Sequence, residues 1–213
     1  MRRAMPLVLM RPTVVLVALI IALALVVVAS AISPKPADAA TKVVTKTFSN
    51  AQQITIPDSG AAVPYPSERS VQGFNQGTVL DVNLSLKNFS HTFPDDVDVL
   101  LAKKGTTRTV MSDVGGGRPG VNNITLNLDD ESPNGFLPDN GPLVGGKFKP
   151  TNNEGLDFFP DPTPTPSAQS ALSGFDGINP NGIWKVRVVD DAAGDSGAFA
   201  GGWSITIRAR VQT

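Results

Sequence analysis

The chain has 213 residues, no cysteine, a single histidine (His91), 20 glycines, 18 prolines and a formal charge of −1. It therefore has no disulfide framework, no thiolate nucleophile and no cysteine zinc site, and one histidine cannot build a multi-histidine metal centre. The near-neutral balance argues against a nucleic-acid partner, which needs a clustered basic face, and the length allows one domain with at most an appendage.

The first 39 residues differ in kind from the rest. Arg2, Arg3 and Arg11 make a positive start, and residues 14–32 are an uncharged run of 19. Pro34-Lys35-Pro36 interrupts it, and Ala37-Asp38-Ala39 offers small residues for a cut after Ala39. This is the order of a secretory signal peptide. The same run also suffices as an uncleaved anchor, since roughly 17–25 apolar residues span a bilayer. In both cases the basic end stays inside and residues 40–213 are exported, making the domain secreted or held outside the membrane by residues 14–32. Without residues 1–39 the net charge becomes −4, and Gly plus Pro make up 34 of 174 residues. That density suits short strands and turns, not long helices.

Period-2 alternation dominates the remainder. In 78–87, Leu80, Val82, Leu84 and Leu86 are expected on one face, with polar residues between them. In 123–128, Ile124, Leu126 and Leu128 alternate with Asn123, Thr125 and Asn127. Segments 97–102 and 183–189 are partly apolar on both faces, as central strands are. In 203–211, Trp203, Ile205, Ile207, Ala209 and Val211 share a face. Weaker strands are expected at 43–48, 53–56, 69–74, 107–112 and 146–149. The run 167–172 has room for one helical turn. Turn signals such as Pro57-Asp58-Ser59-Gly60, Asn134-Gly135 and Asn181-Gly182 punctuate these runs. The expectation is an all-β chain, a β-sandwich of jelly-roll type, with the proline-rich stretch 157–167 as a long surface loop inside it.

Three acidic clusters carry the chemistry. They are Asp95-Asp96-Val97-Asp98, Asp129-Asp130-Glu131, and Asp190-Asp191 with Asp195, each at the edge of a strand. Adjacent carboxylates repel unless water or a cation screens them, and calcium takes several oxygen ligands from loops. Asp95, Asp96, Asp98, Asp129, Asp130, Asp190 and Asp191 are the candidate calcium ligands, with solvated turn residues as the alternative. His91 directly follows a strand with acidic residues close behind, and reads as a turn anchor, because no Gly-x-Ser-x-Gly elbow occurs. Trp184 and Trp203 fall on apolar faces and are expected in the core. Phe158-Phe159 either plugs the end of the sandwich or docks a partner.

Several motifs occur together in one order. They include Ile54-Thr55-Ile56-Pro57-Asp58, Tyr65-Pro66-Ser67, Ser90-His91-Thr92, Asp95-Asp96-Val97-Asp98-Val99-Leu100-Leu101 and Ser112-Asp113-Val114-Gly115-Gly116. Leu128-Asp129-Asp130-Glu131, Asn179-Pro180-Asn181-Gly182-Ile183-Trp184, Val189-Asp190-Asp191 and Gly202-Trp203-Ser204-Ile205-Thr206-Ile207 follow. Over residues 47–208 this order resembles the P domain (P/Homo B domain) that follows the catalytic domain in kexin- and furin-like proprotein convertases and in bacterial subtilisin-like proteases. The resemblance implies a jelly-roll sandwich of the galactose-binding-domain-like kind. It also implies a non-catalytic module that packs on a protease domain, supports its folding and modulates its calcium and pH dependence. Serine-endopeptidase activity itself does not carry over, since the match includes no catalytic domain. The leading expectation is a protease-associated stabilising or binding module, with a separately encoded subtilisin-like protease or another surface protein as partner. A calcium-dependent binder of glycans or surface polymers is the alternative, and a peptidase with an unassigned site is a third.

Overall fold

The computed structural model describes residues 40–117 and 119–213. The export segment expected at 1–39 falls outside the described residues. Among them no helix is long and apolar enough to cross a membrane. Period-2 patterning resolves into thirteen strands. In chain order they are β1 (Thr41–Asn50), β2 (Ile54–Ile56), β3 (Gly60–Ala61), β4 (Ser67–Val71), β5 (Thr78–His91), β6 (Val97–Lys103) and β7 (Thr106–Ser112). Then come β8 (Val121–Leu128), β9 (Gly146–Phe148), β10 (Thr151–Asn152), β11 (Gly182–Asp190), β12 (Gly197–Phe199) and β13 (Trp203–Gln212). Two short 3₁₀ turns, Pro94–Asp96 and Leu172–Phe175, complete the set. The second lies just after the helical turn expected at 167–172.

The strands form two mixed sheets of an all-β sandwich. One runs β1-β13-β5-β12-β2, with β8 on the free side of β5 and β9 beside β8. The other runs β10-β7-β6-β11-β3, with β4 also on β11. Among the strands of the described residues, only β8–β9 and β7–β10 are parallel pairs. Inner faces of both sheets feed one apolar cluster that includes Trp184, Trp203, Phe74, Phe89, Phe175 and Phe199. The alternation expected in β13 holds, with Trp203, Ile205, Ile207, Ala209 and Val211 all buried.

The phase of β5 departs from the simple alternation. Val79, Val82, Leu84, Leu86 and Phe89 are buried, while Leu80 is only half-buried. The pairing with β13 skips Leu80, joining Asp81 to Arg208 and Val79 to Ala209. An extra residue on one strand turns everything beyond it to the other face. A second irregularity between Leu86 and Phe89 coincides with Asn88 at φ 55°, and returns Phe89 and His91 inward.

Both indoles are satisfied in the core. Trp184 Nε1 donates to the Pro180 carbonyl at 2.9 Å, and Trp203 Nε1 to Ser67 Oγ at 2.9 Å. Ser67 is buried and also accepts from Asn50 Nδ2 at 3.1 Å. Ser67→Ala leaves the buried Trp203 Nε1–H without an acceptor, while Asn50 Nδ2 keeps the Glu68 carbonyl at 3.0 Å. It should cost about 1–3 kcal/mol, read as a lower denaturant midpoint at unchanged m value.

All seven residues of β6 are buried, as a strand apolar on both faces requires. Val97, Val99 and Leu101 face the core between the sheets. Leu100 on the opposite face packs with Val189, Phe159 and Tyr65 in a separate small cluster. The cover on that outer face comes from the proline-rich segment 157–168, which lies over β11, β6 and β7 as a strap. The segment is a long loop between β10 and the second 3₁₀ turn.

Candidate metal centre

Alternation along β6 puts Asp98 on the strap side, because Val97 and Val99 point to the core. Asp113 follows β7 directly, at φ 51°, a left-handed conformation that aspartate tolerates better than most residues. Asp157 is the first residue of the strap. A carboxylate oxygen from each of these three lies within 4.8 Å of the others.

One hydroxyl serves this group. Ser112 Oγ, fully buried, lies 2.6 Å from Asp113 Oδ2 and 2.9 Å from Asp157 Oδ1. A serine hydroxyl carries one proton, so it can donate to only one of the two at a time. Asp157 Oδ2 is buried with no partner at all. Asp98 is 3% exposed. Burial, followed by the charge of Asp157, pushes its carboxyl up to about 8. Burial is also the main cause raising Asp157, with Asp113 adding to it. Three carboxylates around one donated proton, one oxygen orphaned and one group held near neutrality, are short of positive charge. The donors are all hard oxygens, one on a strand and two on connecting segments, a set that suits calcium better than zinc or copper.

The candidates drawn from the sequence divide into four groups. Asp98 belongs to the cluster. Asp95 and Asp191 adjoin it: burial raises each carboxyl, and the Asp113 charge raises both further. Asp96 and Asp190 lie beside His91. Burial, then the charges of Asp190, Asp191 and Asp195, push Asp96 up to about 6. Asp190 is fully buried and meets His91 Nε2 at 3.0 Å. Asp129 and Asp130 serve elsewhere. Burial raises Asp129, but its bond to Lys147 Nζ at 2.6 Å and the Glu131 N–H outweigh that and hold it below the usual carboxylate range. Asp130 accepts the backbone N–H groups of Leu172 and Ser173 at 2.9 and 2.7 Å, capping the second 3₁₀ turn.

The cluster also contains two residues that the acidic-run pattern passed over. Asp113 stands alone in Ser112-Asp113-Val114-Gly115-Gly116, and Asp157 opens a stretch whose composition reads only as a loop. A lone Asp before a glycine pair, in a left-handed turn, was the available signal for Asp113. For Asp157 only the folded path of the strap supplies one.

His91 is 2% exposed, with Nδ1 against the Phe93 carbonyl at 2.8 Å and Nε2 on Asp190. This is the turn anchor expected from its position after a strand. Both tryptophans lie in the core, as expected from their places on apolar faces. The phenylalanine pair splits: Phe159 plugs the outer cluster at 5% exposure, while Phe158 is 78% exposed.

Comparison with family models, with curated proteins and with solved structures finds no match to this chain.

Proposed function

We propose that residues 40–213 form an exported, non-catalytic jelly-roll module of the P/Homo B type, which takes up calcium through Asp98, Asp113 and Asp157. Its role is to stabilise or bind a partner outside the cytoplasm, a separately encoded subtilisin-like protease being the kind the sequence resemblance implies. The observation that carries the calcium reading is the buried, unpaired Asp157 Oδ2 inside a three-carboxylate group. The crossing of the chain between the two sheets supports the jelly-roll assignment. Strands β1 and β2 lie in one sheet, β3 and β4 in the other, β5 in the first, and β6 and β7 in the second. The non-catalytic reading is supported by a buried His91 committed through both ring nitrogens.

Thermal unfolding with calcium tests this. A cation that binds only the folded state stabilises it by about 2.7 kcal/mol at a hundred times its Kd. For a domain of this size that is a rise in Tm of about 5–10 °C over chelator. Asp98→Asn should abolish the rise, whereas Asp130→Asn should leave it in place. No shift between chelator and millimolar calcium sinks the metal assignment.

A further inference from the structure

We infer that the metal at Asp157 latches the proline-rich strap, so that losing the metal uncovers the outer face of the six-stranded sheet. This rests on the calcium reading above and adds a regulated surface to it.

The strap makes no ladder. Pro160, Pro162, Pro164 and Pro166 have no N–H to donate, and residues 157–168 belong to no strand. Besides the Ser112 bond to Asp157 and that between the Tyr65 and Thr163 hydroxyls, what holds it is a series of single bonds from underlying side chains to its carbonyls. Tyr65 OH reaches the Pro160 carbonyl at 3.0 Å, and Arg187 Nη2 the Pro162 carbonyl at 2.7 Å. Thr107 Oγ1 and Thr109 Oγ1 reach the carbonyls of Thr165 and Ser167 at 2.9 Å each. Phe159 on Leu100 and Val189 is the one apolar plug. Each such bond nets about 1 kcal/mol, while ordering each residue costs about 1–2 kcal/mol. Closure is therefore marginal.

Two features oppose closure outright. At the root of the strap, Asp157 stands against Asp98 and Asp113. Midway, Arg187 is 3% exposed, with Nε and Nη1 buried and unpaired. A guanidinium taken from water without a carboxylate is costly, and lifting the strap rehydrates it. A cation at the root reverses the first penalty by bridging strap to sheet. Metal occupancy then sets the balance between covered and open, in the manner of a local unfolding equilibrium. The surface uncovered is an apolar shelf of Leu100, Val189 and Tyr65 beside the Arg187 guanidinium.

Limited chymotrypsin digestion of the whole protein, read as cleavage of the Phe158–Phe159 bond and normalised to a free peptide substrate, is the test. In chelator this cleavage should run about tenfold faster than in millimolar calcium, with β13 left intact. Arg187→Leu removes the midway penalty and should slow strap cleavage in chelator. Calcium binding that raises Tm yet leaves strap cleavage alone overturns the latch and spares the metal site. Absence of any calcium effect on Tm overturns both. An Arg187→Leu strap that is cleaved as fast as wild type in chelator overturns the marginal-closure argument.

Discussion

His91→Ala should lower stability by about 3–5 kcal/mol, roughly 10 °C or more in Tm, and the loss should be greater at pH 8 than at pH 5. Asp190 is fully buried on β11, and the histidine ring is its side-chain partner at 3.0 Å. Burial raises the Asp190 carboxyl, and His91 offsets that by charge and hydrogen bond. Asp191 adds to the raising, and Asp96 faces the same pair. With the ring removed, only the Ala192 N–H at 3.2 Å remains to support the carboxylate. A carboxyl whose folded pKa is raised binds more protons folded than unfolded, so its stabilising effect is complete at low pH and disappears as pH climbs through the folded value. Removing His91 enlarges that shift, which places the greatest loss on the alkaline side. Asp190→Asn keeps the shape and removes the charge, so it should stay within about 1 kcal/mol of wild type at pH 8. Denaturant melts of both variants at pH 5 and pH 8 decide this. A His91→Ala loss independent of pH would reduce the pair to simple packing.

The contrast between strands and site shows what a one-dimensional pattern can carry. Valines and leucines spaced by two in β13, and runs apolar on both faces in β6, declare strands because burial selects side chains at the period of the pleat. The phase of Leu80 was not legible, since the bulge depends on how β13 pairs with it. Of the strands of two or three residues, β2 and β9 were signalled by their neighbours, whereas β3, β10 and β12 have too few positions to show a period. Asp98 was visible as a carboxylate in an otherwise apolar strand. Its partners were not, because Asp113 and Asp157 reach it only through the β6–β7 pairing and the path of the strap. The acidic doublet Asp129-Asp130 looked equivalent to Asp95-Asp96 in sequence, yet the fold gives it the Lys147 ammonium and the backbone N–H groups of Glu131, Leu172 and Ser173.

That difference gives the Asp98, Asp113 and Asp157 cluster a pH signature. Asp98 is pushed up to about 8, above the ordinary 3.8, by burial and by the charge of Asp157. In the metal-free protein its contribution is therefore complete below pH about 4 and is lost as pH rises through about 8. Asp157 and Asp191 are displaced in the same direction, Asp96 likewise to about 6, so the slopes reinforce one another. A divalent cation requires the ionised carboxylates and repels the protons. Calcium uptake at pH 6.5 to 7 should then release about one proton, most of it from Asp98. The calcium-induced rise in Tm should be small at pH 5 and approach its full 5–10 °C near pH 8. Calorimetric titration in two buffers of different ionisation enthalpy measures the proton count directly. Asp98→Asn sharpens the result: it should bind no calcium, release no proton, and in chelator at pH 8 be more stable than wild type, since the amide needs no counter-charge. A calcium response of equal size at pH 5 and pH 8, with no proton released, would mean that the cation binds away from Asp98.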